Sequence, residues 1–151
     1  AKRVMSLRDG TKKMSKSDSS EYSRIMLNDS VDQITQKIKK AKTDSFPLPN
    51  DIREAESRPE ALNLLSILAA LTDKKTSQII DEYSGKEFSN LKNDLIEVAV
   101  DKINPISKEI NKLMNEEGYL DNIMKNGKEK AYSEADSVLK KVYNALGFSK
   151  N

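Results

Sequence analysis

The sequence lacks both cysteine and histidine. Without cysteine the chain forms no disulfide and offers no thiolate to a metal ion. Without histidine it has no imidazole, which is the commonest general base, the commonest metal ligand and a partner in Ser-His and Cys-His catalytic pairs. The acidic residues are scattered without metal-ligand spacing, so we expect no metal site in the protein itself.

Long apolar runs are absent as well. No run approaches the roughly 18 residues that a membrane-spanning helix needs, and the first ten residues, AKRVMSLRDG, contain no apolar signal core. We therefore expect a cytoplasmic protein with no membrane partner. The first residue is alanine, and the residues after it resemble the end of a strand, so we expect the chain to begin inside a larger protein.

Charge is abundant but nearly balanced. The 151 residues include 26 basic and 24 acidic side chains, and charged and hydrophobic residues make up 33% and 36% of the chain. A chain of this length forms one domain and buries roughly two-thirds of its unfolded surface. The overall balance indicates no polyanionic partner such as DNA, although the first 20 residues hold six basic and only two acidic residues.

From residue 29 onward the apolar residues recur at helical spacing. Asp29 or Ser30 can cap a first helix whose outer face carries lysines, among them Lys37. The apolar face of this helix is formed by Val31, Ile34, Ile38 and Ala41. The next segment, DSFPLPND, is predicted to be an extended loop because it holds two prolines. Ser57 can cap a second helix, which is apolar almost all round and therefore belongs at the centre of a bundle.

The second half of the chain is also predicted to be helical. Gly85 ends a short helix, and a long one follows from about residue 87 to 116, with Pro105 expected to kink or divide it. The apolar stripe of the long helix is Leu91, Leu95, Ala99, Ile103, Ile106, Ile110 and Leu113. A short helix is predicted between Gly118 and Gly127, and a last helix from about residue 128 to 146. The inward residues of the last helix are Ala131, Ala135, Val138, Val142 and Leu146.

Residues 1–28 differ from the rest. They hold a short strand-like piece, Arg3 to Leu7, followed by the polar stretch TKKMSKSDSS at 11–20. Residues 29–151 contain no alternating strand pattern. The predicted fold class is therefore all-α, a helical bundle at 29–151 that is preceded by the strand-like piece and a basic loop.

The polar stretch contains Lys-Met-Ser-Lys-Ser at residues 13–17, and this pentapeptide resembles the signature loop of class I aminoacyl-tRNA synthetases. Other blocks along the whole chain resemble the tryptophan–tRNA synthetase family of bacterial and mitochondrial type. These blocks are RVMSLRDGTKKMSKSD at 3–18, IKKAKTDS at 38–45, LNLLSIL at 62–68, LKNDLIEVAVDKINPI at 91–106, KNGKEKA at 125–131 and YNALGF at 143–148.

The resemblance implies a set of roles for the signature loop. Lys13 and Lys16 are the two motif lysines, which act with Ser15 on the phosphates of ATP, and Mg²⁺ is bound through those phosphates. Met14 lies beside the adenine or packs the loop against the catalytic domain, and Ser17 completes the ATP contacts. Residues 1–28 are then the end of a catalytic nucleotide-binding domain whose main part precedes this chain, and the chain alone is expected to be inactive.

By the same resemblance, residues 29–151 form a helical domain that receives the anticodon of tryptophan tRNA, and the whole protein is a homodimer. Unpaired bases and phosphates attract lysine and asparagine side chains. The candidate tRNA contacts are Lys86, Lys92, Asn93, Asp94, Lys125, Lys128 and Lys130. The last three are expected to flank a loop at Gly127. Tyr83 and Phe88 are predicted to lie in the core, with base stacking as the alternative.

Alternatives remain at this point. A Lys-Ser run is often a solvated linker or a phosphorylation site. The chain could also belong to a tyrosine–tRNA synthetase, or be a non-enzymatic RNA-binding helical module. One departure concerns Ser19 and Ser20, where many relatives have Pro and Asn, and it predicts a more flexible end to the loop.

Overall fold

The structure, a computed structural model, describes residues 3–116 and 118–148. Within these residues it contains α-helices, a single short 3-10 helix at Glu21–Ser23 and no strand, which confirms the predicted all-α class. The helices are α1 (Val31–Lys39), α2 (Ile52–Glu56), α3 (Pro59–Leu71), α4 (Thr76–Tyr83), α5 (Phe88–Asn115) and α6 (Tyr119–Leu146).

The chain forms two compact units, residues 1–109 and 110–151. The first unit holds the segment before α1, helices α1–α4 and most of α5; the second holds the end of α5 and all of α6. The predicted domain division between residues 28 and 29 concerns the whole protein and stays a prediction.

The core of the first unit surrounds α3. Seven of its residues are buried, which agrees with the prediction that this nearly all-apolar helix lies at the centre. The largest fully buried apolar side chains of this core, two of them from α3 itself, are Leu7, Ile34, Ile38, Leu48, Leu64, Leu65, Ile79, Ile80, Leu91 and Leu95. Since Leu7 belongs to the segment before α1, that segment is packed into the same core as the helices.

Helix α1 begins as predicted, with Ser30 as its N-cap. The Ser30 side chain accepts a hydrogen bond from the Gln33 backbone N–H at 3.2 Å, and the Gln33 side chain accepts one from the Ser30 N–H at 2.8 Å. This reciprocal pair is a capping box. The prediction that Lys37 lies on the outer face is wrong, because its side chain is buried against Asp29.

Helix α2 lies between the predicted loop DSFPLPND and Ser57, where the sequence predicts no helix. Asp51 caps it by accepting a hydrogen bond from the Glu54 N–H at 2.9 Å. Ser57 ends α2 instead of capping α3, since its hydroxyl donates to the Glu54 carbonyl at 2.7 Å. Helix α3 instead has Arg58 at its N-cap and Pro59 in its first turn.

Helix α5 runs through Pro105 without being divided. Its buried face continues from Ala99 to Ser107, whereas Ile106, which the sequence places in the stripe, is 44% exposed. Tyr83 and Phe88 are buried, as predicted for core residues. Gly85, with a positive φ of 68°, follows the end of α4 as predicted.

Helix α6 differs most from the prediction. It is continuous through Gly127, where the sequence predicts a loop between two helices. A glycine inside a helix costs only about 1 kcal/mol relative to alanine, which one position does not turn into a break. Moreover, none of the residues of α6 is buried, so the five predicted inward residues, Ala131, Ala135, Val138, Val142 and Leu146, are exposed.

Candidate functional site

The signature motif begins on the second arm of a small hairpin formed by residues 4–14. Met5 and Lys13 form an isolated antiparallel bridge, and the Ser6 N–H donates to the Lys12 carbonyl at 2.8 Å. The predicted strand-like piece is therefore extended, but it pairs at a single bridge. The hairpin brings the first motif lysine directly opposite a backbone segment that is tied to the core.

A tight turn at Asp9 to Lys12 connects the two arms. The Asp9 carboxylate accepts hydrogen bonds from the Thr11 N–H at 3.1 Å and the Thr11 hydroxyl at 2.5 Å, and it pairs with the Lys12 ammonium at 3.1 Å. The Thr11 hydroxyl, followed by Lys12, lowers the pKa of Asp9 to about 2. The charge of Lys12 is therefore engaged within the turn.

The two motif lysines are different. Lys13 and Lys16 are both exposed, and neither ammonium has a hydrogen bond or an ion pair with residues 3–116 or 118–148. A lysine ammonium is a compact charge on a flexible stem with three donors, which suits a mobile anionic ligand. Two free ammonium groups three residues apart can approach the phosphates of one nucleotide.

The two serines of the motif, Ser15 and Ser17, are hydrogen bonded to each other. Their hydroxyl oxygens lie 3.0 Å apart, and the Ser17 N–H donates to the Ser15 Oγ at 3.3 Å. Both side chains are exposed, so each hydroxyl can exchange this partner for a ligand oxygen. Met14 is half-buried against the core of the first unit, and its N–H donates to the Val4 carbonyl at 3.1 Å.

The end of the motif is held by a residue that sequence reasoning missed. The Arg24 guanidinium donates to the carbonyls of Asp18 at 2.9 Å and Ser20 at 3.2 Å, and the Ser20 N–H donates to the Asp18 carboxylate at 2.8 Å. The prediction of a more flexible end to the loop rests on Ser19 and Ser20 alone. Arg24 lies six residues beyond Asp18, and no local pattern marks it as a partner of this turn.

A buried ion pair fixes the chain between the motif and α1. The Lys37 ammonium lies 2.6 Å from the Asp29 carboxylate, and the side chains are only 8% and 7% exposed. The same carboxylate accepts the Met26 N–H at 2.8 Å. A buried carboxylate and ammonium stabilise each other only in such a matched geometry. The pair was missed because lysine spacing alone predicts a solvated face.

The candidate tRNA contacts in the first unit fall into two places. The Lys86 ammonium lies 4.9 Å above the ring of Tyr83, whose hydroxyl donates to Asp94 at 2.5 Å. Burial, followed by that carboxylate, raises the pKa of Tyr83 above its ordinary value. Lys86, Tyr83 and Asp94 are thus one connected group, and Asn93 is exposed beside it on α5.

Lys92 is oriented elsewhere. Its ammonium donates to the carbonyls of Lys39 at 3.0 Å and Ala41 at 2.8 Å, at the C-terminal end of α1. Burial, with a smaller contribution from Arg8, lowers the pKa of Lys92. A cation at this position complements the free carbonyls of a helix end. A tRNA role for Lys92 stays a prediction, and any phosphate would compete with these two carbonyls.

Lys125, Lys128 and Lys130 are exposed on α6 in the second unit. Lys125 and Lys128 are three residues apart and share a helix face, whereas Lys130 lies about 140° around the helix from Lys125. Because α6 is continuous through Gly127, these lysines do not flank a loop, which corrects the sequence expectation. They present a cationic helix surface instead.

Within 3–116 and 118–148, no three or more acidic side chains come together in a way that could hold a metal ion. In the same part of the chain, no helix has both the length and the apolar character needed to cross a membrane.

Comparison with known proteins gives consistent matches. The family described as tRNA synthetases class I (W and Y) matches residues 1–104. A protein of Agrobacterium fabrum named tryptophan–tRNA ligase is 46% identical over 148 residues, which are 98% of this chain and 42% of that protein. A tryptophan–tRNA ligase of Brucella melitensis is 44% identical over 151 residues, which are 100% of this chain and 42% of that protein.

A solved structure gives the same result. The tryptophanyl-tRNA synthetase of Mycoplasma pneumoniae superposes with a TM-score of 0.72 at 30% identity, over 98% of this chain and 46% of that one. The present chain therefore spans less than half the length of each of these three relatives.

Proposed function

Because the chain belongs to the class I tRNA synthetases of the tryptophan and tyrosine group, we propose that it is part of a tryptophan–tRNA ligase. The proposal is supported by the curated relatives quoted above, which are named for tryptophan and match nearly the whole chain. Neither the tyrosine enzyme nor a non-enzymatic RNA-binding module is favoured by these matches.

The proposed reaction begins with the activation of tryptophan. The tryptophan carboxylate attacks the α-phosphate of ATP, an oxygen–phosphorus bond forms, and pyrophosphate leaves with the electron pair of the bond that breaks. Negative charge grows on the bridging and leaving oxygens. Ammonium groups directed at those oxygens stabilise the transition state more than the ground state, which is how they accelerate the step.

The observation that carries the assignment of the ATP contacts is a contrast among three neighbouring lysines, Lys12, Lys13 and Lys16. Lys12 is paired with Asp9, whereas Lys13 and Lys16 have exposed ammonium groups without a partner in the described residues. We assign Lys13 and Lys16 to the phosphates of ATP, with Ser15 as a further donor. Ser17 and Met14 complete the proposed ATP contacts, Met14 at the adenine. Mg²⁺ would be carried by the phosphates and not by side chains of this chain.

The remaining parts of the reaction are assigned outside the chain. The tryptophan pocket and most of the ATP site would lie in a catalytic domain of the same polypeptide, and the whole protein would be a homodimer in the cytoplasm. The helical part would contact tryptophan tRNA through the Lys86 and Asn93 region and the α6 lysines. We expect the 151-residue chain alone not to activate tryptophan.

The experiment is pyrophosphate exchange into ATP by the polypeptide of the complete reading frame, with tryptophan or tyrosine as the amino acid. Exchange that depends on tryptophan supports the proposal, and exchange that depends on tyrosine would overturn it. The 151-residue chain, assayed in parallel, should show no exchange with either amino acid. Exchange by that chain alone would contradict the assignment of the remaining site to another domain.

A further inference from the structure

Asn63 is a buried polar residue in the otherwise apolar centre of α3. Asn63 is 5% exposed, and its neighbours Ala61, Leu64 and Leu65 are at most 1% exposed. An amide in such surroundings is costly unless all of its polar atoms are hydrogen bonded. The partners of Asn63 therefore explain why an amide is present there.

All of these partners are backbone groups of two residues far away in the sequence. The Asn63 Oδ1 accepts the Met5 N–H at 3.0 Å, and its Nδ2 donates to the carbonyls of Met5 at 3.0 Å and Ser6 at 3.2 Å. The amide thus pairs with the extended backbone much as a neighbouring strand would.

The motif lies on the other edge of the same two-residue segment. Met5 bridges to Lys13, and the Ser6 N–H donates to the Lys12 carbonyl. Met5 and Ser6 are therefore held between Asn63 on one side and the beginning of the signature motif on the other. A displacement of this segment relative to α3 would carry Lys13 with it.

The turn of the hairpin rests on the same helix. A Cβ added to Gly10 would lie 2.5 Å from the Pro59 carbonyl carbon, so the backbones are in close contact. The Glu60 carboxylate pairs with the Lys42 ammonium at 2.9 Å. That ammonium lowers the pKa of Glu60. Hydrogen bonds that the backbone N–H groups of Glu60 and Gly10 donate to the same carboxylate act in the same direction. The hairpin is thus attached to α3 at both its turn and its first arm.

We propose that Asn63 is a positioning residue for the activation reaction, which ties the hairpin to α3 and so sets the place of the Lys13 and Lys16 ammonium groups. This inference rests on the proposed function. Asn63 touches no reacting atom; it acts through the backbone of Met5 and Ser6. Misplacement of a reacting group by about 1 Å can lower a rate by about a hundredfold, so loss of the three hydrogen bonds should be visible in kcat.

The test uses Asn63→Asp and Asn63→Leu in the polypeptide of the complete reading frame. Asn63→Asp keeps the volume and the acceptor for Met5 but places an oxygen against two carbonyls, and Asn63→Leu removes all three hydrogen bonds. Both should lower kcat for pyrophosphate exchange by about ten- to a hundredfold, with KM for tryptophan changed less than about twofold. The matched control is Asn111→Asp, an exposed asparagine on α5, which should leave both constants unchanged.

A second readout is hydrogen exchange in the 151-residue chain. The amides of Ser6 and Met14, which bond across the hairpin, should exchange at least about tenfold faster in the Asn63 variants, because the arm they pair with is released. The amides of Ile79 and Ile80 in α4 should keep their protection. A merely structural role would instead lower protection throughout the first unit.

The outcomes separate this inference from the proposed function. If the unaltered polypeptide shows no tryptophan-dependent exchange, the proposed function fails. If it is active and the folded Asn63 variants keep its kcat, or lose activity through KM for tryptophan alone, the inference fails. If Asn63→Leu unfolds, Asn63→Asp decides. Unfolding of both would also overturn the inference, because Asn63 would then be needed for the fold and not specifically for the hairpin.

Discussion

At the scale of single residues, the first prediction concerns the lysines of the signature region. Lys13→Met and Lys16→Met each remove an ammonium group but keep most of the apolar stem. Under the proposed assignment, each should lower kcat for pyrophosphate exchange by the complete polypeptide about a hundredfold, because one transition-state donor is lost. The measurement is steady-state exchange at saturating ATP and tryptophan.

Lys12→Met is the matched control for these two variants. It removes the same charge from the adjacent residue, but that charge is paired with Asp9 within the turn. Exchange by this variant should stay within about twofold of the unaltered protein, because an exposed ion pair contributes little. If Lys12→Met were as damaging as Lys16→Met, general positive charge and not the motif geometry would explain the effect.

The second prediction concerns the buried pair of Asp29 and Lys37. Lys37→Met leaves a carboxylate buried without its partner, which should lower the free energy of unfolding by about 3–5 kcal/mol. The double variant Asp29→Asn with Lys37→Met should lose less, because no unpaired charge remains. Urea unfolding followed by circular dichroism measures both changes.

Lys74→Met serves as the comparison, since Lys74 pairs with Glu82 at 2.8 Å and the two side chains are 47% and 46% exposed. It should change the free energy of unfolding by less than about 1 kcal/mol. A similar loss in Lys37→Met and Lys74→Met would argue against any special contribution from burial.

At the scale of the helices, α6 gives the third prediction. Gly127 lies inside the helix, and a Cβ added there would meet nothing within 4 Å. Gly127→Ala should therefore raise the free energy of unfolding of this helix by about 0.5–1 kcal/mol. Thermal unfolding of the 151-residue chain, followed by circular dichroism, measures the shift.

Gly147→Ala is the opposite case on the same helix. Gly147 has a φ of 73° in the C-terminal turn, which an alanine adopts only at a cost of about 1 kcal/mol. Both variants replace glycine with alanine, so their opposite signs would show that backbone conformation decides the outcome. A destabilising Gly127→Ala would mean that α6 is interrupted at that position, as the sequence pattern suggests.

The helices also show what local sequence can and cannot predict. The all-α class, the Ser30 cap and the end of α4 near Gly85 follow from periodicity and capping chemistry, and each is confirmed. The short α2 and the continuity at Gly127 do not, because one turn of helix carries little periodic signal and one glycine is only mildly unfavourable.

The contacts that sequence reasoning missed either join residues distant in the chain or involve charged side chains of a type that is usually solvated. Asn63 lies 57 and 58 positions from its partners. The sequence predicts a solvated Lys37, whereas the structure buries its side chain against Asp29. The motif itself is recognisable from five consecutive residues. Its supports are not, because hydrogen bonds to backbone leave no pattern in the partner's side chains.

At the scale of the whole molecule, the fourth prediction concerns RNA binding. The net charge of the chain is only +2, so the 151-residue chain should bind a tryptophan tRNA transcript weakly and with strong salt dependence. Replacing Lys125, Lys128 and Lys130 together with glutamine should weaken binding and reduce the magnitude of the slope of log K against log salt by about 2, if all three meet single-stranded phosphates.

The control replaces three other exposed lysines, Lys74, Lys102 and Lys108, and so removes the same total charge. Equal losses in the two triple variants would mean that only overall charge matters and that α6 is not a contact. A transcript with its CCA anticodon changed completes the experiment. Reduced affinity for that transcript would show base recognition by this chain itself, and unchanged affinity would assign specificity to the rest of the polypeptide.

The contact between Gly10 and the start of α3 has a consequence for how this sequence can vary. An added Cβ would lie 2.5 Å from the Pro59 carbonyl carbon and 2.6 Å from the Glu60 nitrogen, and both are backbone atoms that no rotamer change can move. Consider a library of all amino acids at residue 10, in cells whose growth depends on the proposed enzyme. Glycine alone should survive the selection. The same library at Gly127 should return many residues, so two glycines that look alike in the sequence would differ in their tolerance of substitution.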